Sequence, residues 1–154
     1  MRGLVIVLLM AAAALTADAP KGFEHWTSAE LQGFERKLGP KINAQKIATQ
    51  PLGSYGNHNF LMAHREGSGE AELHETQNDV MVVESGEATL VVGGTVVDAR
   101  TTAPHEIRGP SIRGGEKVAL GAGDVVHIPV KIPHQMLLES GKQITYFVVK
   151  IDAR

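Results

Sequence analysis

The sequence contains no cysteine, which removes disulfides, thiolate metal sites and cysteine nucleophiles at once. Aromatic residues make up only 5% of the chain, too few for a platform that stacks single-stranded nucleic acid. An excess of one charge is also missing. The formal net charge is -2, so there is no basic field toward nucleic acid and no acidic tail. No glycine-rich phosphate loop followed by lysine and serine or threonine occurs, and no dinucleotide fingerprint follows a strand. The serine of GPSIRGG, Ser111, lacks the flanking glycines of a nucleophile elbow. HETQND, His74 to Asp79, lacks the second histidine of a metalloprotease helix.

What is present fits one globular domain of 154 residues, with 43% hydrophobic residues to build a core. Seventeen glycines in so short a chain imply many tight turns and favour an all-β fold over a helix bundle. The N-terminus stands apart. Arg2 precedes an apolar run from Leu4 to Leu15, and Ala17-Asp18-Ala19 follows as a small-residue site. This is the pattern of a secretory signal peptide over residues 1–19, cut after Ala17 or Ala19. The run is shorter than the roughly 20 residues that span a bilayer. It predicts a secreted or periplasmic protein with no stable membrane insertion after processing.

Residues 20–51 read as a helix and a connection. Thr27 is an N-cap with Glu30 three residues on, the spacing of a capping box. Leu31, Phe34 and Leu38 recur at helical spacing before Gly39-Pro40 ends the run. The spacing predicts one short amphipathic helix packed outside the main body. From Leu52 to the end, short apolar runs alternate with glycine turns, the signature of a sandwich or barrel. GEAELHE places Glu72 and His74 on one strand face. Between the strand blocks, DARTTAPHEIRGPSIRGG (98–115) shows little apolar pattern and reads as a long surface excursion. Its Arg100, Arg108 and Arg113 would engage an anionic ligand or a neighbouring subunit, or pair with local carboxylates.

Two prolines sit four residues apart within the segment HIPVKIPHQ (127–135), and a histidine follows the second directly. Proline cannot donate to a ladder, so it belongs at strand ends and bulges, where it stiffens the entry to the next strand. Gly123, Pro129 and His134 fall on the spacing of the second signature motif of the cupin superfamily, which this segment resembles. Lys131 stands where that motif has its inner glycine, and Leu138 where it has an asparagine. The first motif resembles the family pattern in altered form, as Glu72, His74, Asp79 and Gly86. The alternative register, with His74 first and Thr76 second, leaves too short a gap to Asp79.

The resemblance implies a cupin-like double-stranded β-helix, a jelly-roll barrel, over residues 52–154. It implies a divalent transition metal (Fe, Mn, Ni or Zn) held by His74 and His134 with Glu72 and Asp79. Two imidazoles and one or two carboxylates form a competent donor set. Asp79, one methylene shorter than the family's glutamate, would reach the metal through water. Gln77, Met81, Met136 and His127 are the candidate ligand contacts, the methionines supplying an apolar wall. His127 also reads as a half-buried strand residue. Gln135, one position off His134, points away. The resemblance further implies oxygenases, isomerases and lyases, binding modules, and homodimers. Two function classes therefore stand: an enzyme using a bound metal on a small polar or carboxylate-bearing molecule, and a non-enzymatic binding module or metal-free dimer.

Overall fold

The computed structural model describes residues 19–153, and all of the proposed signal peptide but Ala19 lies outside them. Thr27 caps the first helix. Its hydroxyl accepts from Glu30 N at 3.2 Å, and the Glu30 carboxylate accepts from Thr27 N at 2.8 Å. Instead of one helix there are two, α1 (Ser28–Gln32) and α2 (Phe34–Leu38), followed by a 3-10 turn over Gly39–Lys41. The break falls at Gly33, the poorest helix former in the run after proline. Leu38 is buried with Ala48 and Met62, and Leu31 and Phe34 pack against them. The apolar stripe is therefore used in packing against the outside of the sheet.

Twelve strands follow among the described residues. They are β1 (Ile47–Ser54), β2 (His58–Arg65), β3 (Ala71–His74), β4 (Gln77–Val92), β5 (Thr95–Val97) and β6 (Arg100–Ala103). Then come β7 (Glu106–Gly109), β8 (Ser111–Arg113), β9 (Glu116–Gly121), β10 (Val125–Ile128), β11 (His134–Leu137) and β12 (Ile144–Asp152). Strand β1 starts inside the segment expected to be connection. It tolerates Pro51 because it is an edge strand with a register shift between Pro51 and Gly53. The two motif prolines, Pro129 and Pro133, sit between β10 and β11, outside both ladders.

All ladders are antiparallel, and ten strands form one curled sheet in the order β1-β2-β12-β4-β11-β3-β7-β6, with β9 and β10 also paired to β4. Strands β5 and β8 form a separate ladder. The long strand β4 serves both halves of the barrel: residues before Gly86 pair with β10 and β12, those after it with β9 and β11. Gly86 is the pivot. Its φ is +79°, and a Cβ there would stand 2.0 Å from the Gln143 carbonyl oxygen. Leu90, Ile128, Ile144 and Val83 fill the barrel interior.

The 98–115 segment differs from its expected form. It is not an irregular excursion: it supplies β6, β7 and β8, and β7 pairs residue by residue with β3. No alternation showed in the sequence because β6 is exposed throughout and β7 carries polar side chains inward. No helix among the described residues is long and apolar enough to cross a membrane.

Candidate metal centre

Register assembles the site. On β3, Glu72 and His74 stand two apart and share the inner face. Strand β11 lays His134 opposite Glu72, while β7 lays Arg108 opposite Glu72 and Glu106 opposite His74. On the facing wall β12 places Lys150 opposite Asp79 of β4. Residues directly across an antiparallel ladder point to the same face, so chain segments far apart in sequence converge on one interior point.

His74 Nδ1 bonds both oxygens of Glu106, at 2.8 and 2.9 Å. His134 Nδ1 donates to the Ile132 carbonyl oxygen at 3.1 Å. Both rings therefore turn Nε2 inward. His134 Nε2 is fully buried and has no hydrogen-bond partner. Around it lie Asp79 Oδ2 at 3.7 Å and Glu72 Oε2 at 4.0 Å. His74 Nε2 is 3.3 Å from Asp79 Oδ2 and 3.6 Å from Glu72 Oε2. Ligand atoms of Glu72, His74 and His134 lie within 4.8 Å of one another. A buried acceptor aimed at other acceptors is unfavourable without a cation to join them. The donor set thus fits a divalent transition metal.

The surrounding charges are balanced. Lys150 Nζ reaches Asp79 Oδ1 at 2.9 Å and His74 Nε2 at 3.0 Å. Arg108 Nη1 holds Glu72 Oε1 at 2.7 Å, and Arg65 Nη2 lies 3.5 Å from the same oxygen. Burial pushes the His134 imidazole below its ordinary pKa, against the pull of Glu72. Burial also opposes a charged His74, but the hydrogen bond to Asp79 and the charges of Asp79 and Glu106 outweigh it and raise its pKa. Burial would raise Glu72 as well; the charges of Arg108, His134 and Arg65 reverse this and lower it. Arg65 Nε donates to Tyr146 Oη at 3.0 Å, and burial pushes the Tyr146 phenol up.

Beside the centre opens a cleft of about 550 Å³ lined by Arg65, Arg108, Lys150, Glu72, Tyr146 and Met81, among others. Met136 and Met81 also flank His134 in a small inner void. Two of the proposed ligand contacts lie elsewhere. Gln77 Nε2 bonds Asp152 Oδ1 at 2.7 Å on the exposed side, because it heads β4 where the sheet meets the end of β12. His127 is exposed on β10 opposite Val80, and its neighbour Ile128 turns inward instead. Gln135 turns away from the centre and, buried, donates to the Gly69 and Pro110 carbonyl oxygens. Arg65, Glu106, Tyr146 and Lys150 were not expected at the site, and Arg108, expected at an anionic ligand, a neighbouring subunit or a local carboxylate, pairs here with Glu72. The arginine-rich texture of the 98–115 segment was the one signal for any of them.

No family model matches the sequence, and no curated protein sequence matches it either. Solved structures do. TT1209 from Thermus thermophilus is 19% identical, with 73% of this chain and 90% of that chain covered and a TM-score of 0.53. Pac13 of Streptomyces, a nucleoside dehydratase, is 12% identical over 73% of this chain and 74% of that one, with a TM-score of 0.52. The polyketide cyclase RemF from Streptomyces resistomycificus is 16% identical over 70% of this chain and 66% of that one, with a TM-score of 0.50. The fold is the cupin-type jelly roll.

Proposed function

We propose that this chain is an exported, homodimeric cupin-type enzyme that holds a divalent transition metal through Glu72, His74 and His134 and acts on a small carboxylate-bearing molecule as an isomerase or lyase. The observation that carries the reading is the orphaned, buried Nε2 of His134, turned toward two carboxylates. When bound, the metal would supply Lewis-acid polarisation of a substrate oxygen. The chain's own groups do the rest. Arg108, Arg65 and Lys150 give the cleft the cations that attract a carboxylate. Tyr146 Oη accepts from Arg65 and keeps its own proton, so it can donate toward the cleft. Met81 and Val148 supply apolar wall beside these groups.

That like-folded proteins include a nucleoside dehydratase and a polyketide cyclase supports an enzyme on this fold without naming a substrate. Export rests on the pattern of residues 1–19, and self-association on the family resemblance. N-terminal sequencing of the exported protein and sedimentation velocity test these two.

A second reading, a metal-free binding module, is favoured by Lys150, which already satisfies Asp79 and His74. Metal analysis of the purified mature protein decides between them. Stoichiometric metal that is lost in His74→Ala and His134→Ala is the expected result. Metal-free protein, equally stable in both variants, leaves the binding module. Turnover of small hydroxy and keto acids by the metal-loaded protein, abolished by chelation, would then establish the enzyme.

A further inference from the structure

We propose that Lys150 is a built-in competitor for the metal: it occupies His74 in the metal-free protein and must let go before the centre can load. The inference rests on the metal-binding reading above and concerns what regulates that site.

An imidazole nitrogen that lacks a proton offers a single lone pair. His74 Nδ1 is committed to both oxygens of Glu106, at 2.8 and 2.9 Å, so Nε2 is the nitrogen a metal would have to take, and it can do so only through its lone pair. Lys150 Nζ stands 3.0 Å from that nitrogen, where the metal would sit. An ammonium only donates, and a metal also needs the lone pair. The two cannot share it. Lys150 further holds Asp79 Oδ1 at 2.9 Å and Oδ2 at 3.2 Å, so its charge stands against the atoms a cation would seek. An incoming divalent ion meets both a blocked ligand and a like charge in a low-dielectric interior.

The release has somewhere to go. Lys150 also lines the wide cleft, and its side chain is 22% exposed, whereas its partner Asp79 is 2% exposed. The flexible stem can swing Nζ into the cleft without moving β12. There the ammonium joins Arg65 and Arg108 on the wall that would meet a carboxylate. Metal loading thereby turns a blocking group into a substrate-facing one.

The test titrates Zn²⁺ into chelator-stripped wild-type protein and Lys150→Met, in competition with a chromophoric chelator. Lys150→Met should bind Zn²⁺ at least about tenfold more tightly, because the variant frees His74 and removes the competing charge. Binding by the variant alone would also support the competitor. Equal or weaker affinity in the variant, with binding by the wild type intact, overturns the competitor and spares the metal centre. Absence of binding in both overturns both. A second measurement needs no variant: the acetylation rate of Lys150 in the wild type, read by mass spectrometry with and without Zn²⁺. It should rise severalfold on loading, and an unchanged rate overturns the proposal.

Discussion

His134 Nε2 and Glu72 Oε2 face each other across 4.0 Å. Two acceptors at that distance gain nothing from each other, yet two ligands on one ion at about 2.1 Å each can lie up to about 4.2 Å apart. The spacing therefore reads as half of a coordination sphere. Replacing the imidazole with an apolar group of similar size should separate the structural from the functional part of its role. In chelator, His134→Leu removes an unpartnered buried nitrogen and gives up one bond to Ile132, so its stability should stay within about 1.5 kcal/mol of wild type. Metal uptake should be abolished. Urea melts and metal analysis check the pair. A loss of several kcal/mol in the metal-free state would mark His134 as a structural residue.

Glu106 touches no substrate in this arrangement; it positions His74. Both its oxygens hold Nδ1 and so fix which ring nitrogen faces the centre. Removing such a partner typically weakens metal affinity by about 10- to 100-fold. Glu106→Ala should fall in that range by chelator competition and should recover with Glu106→Asp if the shorter carboxylate still reaches. An unchanged affinity would show that the ring is oriented by packing alone.

These two residues mark the limit of what the sequence discloses. Glu72, His74, Asp79 and His134 could be found in advance, since strand alternation and motif spacing are local properties. Glu106 and Lys150 could not. Each reaches the centre through a cross-strand register, Glu106 opposite His74 and Lys150 opposite Asp79, set by partners 32 and 71 residues away. Strand β7 was hidden for a related reason: its inward face is polar, so it lacked the apolar alternation that betrays a strand. His127 shows the converse. Its strand was legible but its facing was not, because the proline-bounded segment gave no clear phase, and Ile128 took the inward position.

Lys131 stands where the resemblance calls for glycine, and the backbone there still behaves as though glycine were present. Its φ is +63°, and its N–H donates to the His74 carbonyl oxygen at 2.7 Å. A lysine in the left-handed region carries a steric cost that glycine does not. Lys131→Gly should thus be neutral or stabilising by up to about 1 kcal/mol, the gain being offset by glycine's greater freedom in the unfolded chain. Lys131→Val should be destabilised instead. Thermal melts of both variants decide, and a stabilised valine variant would contradict the strain.

Gly86 is the opposite case, a motif glycine whose requirement is met. Positive φ and a Cβ that would lie 2.0 Å from a backbone oxygen leave alanine no room. Gly86→Ala should cost on the order of 3 kcal/mol by urea denaturation. The pivot carries β4 from one half of the barrel to the other, so metal binding should weaken along with stability. A variant within about 0.5 kcal/mol of wild type would show that the strand can turn without it.

The pairing of Asp79 with Lys150 also sets a pH dependence with a definite sign. Burial alone would raise the Asp79 pKa. The hydrogen bond with His74 and the charge of Lys150 overcome it and hold the carboxyl below its ordinary value of 3.8. In that window the unfolded chain binds a proton that the folded chain does not. The pair's stabilisation is therefore complete above 3.8 and is lost as pH falls through the lower folded value. In Lys150→Met the ammonium is gone while the hydrogen bond with His74 remains, so the Asp79 pKa should move up from its lowered value toward the ordinary one. The variant therefore loses less stability on acidification than the wild type does. In chelator, Lys150→Met should be less stable than wild type at pH 7 by about 3 kcal/mol, and the gap should shrink as pH falls below about 3.8. Urea melts across this range measure it. A gap that stays constant with pH would mean that Lys150 supports the barrel through its apolar stem and not through its charge on Asp79.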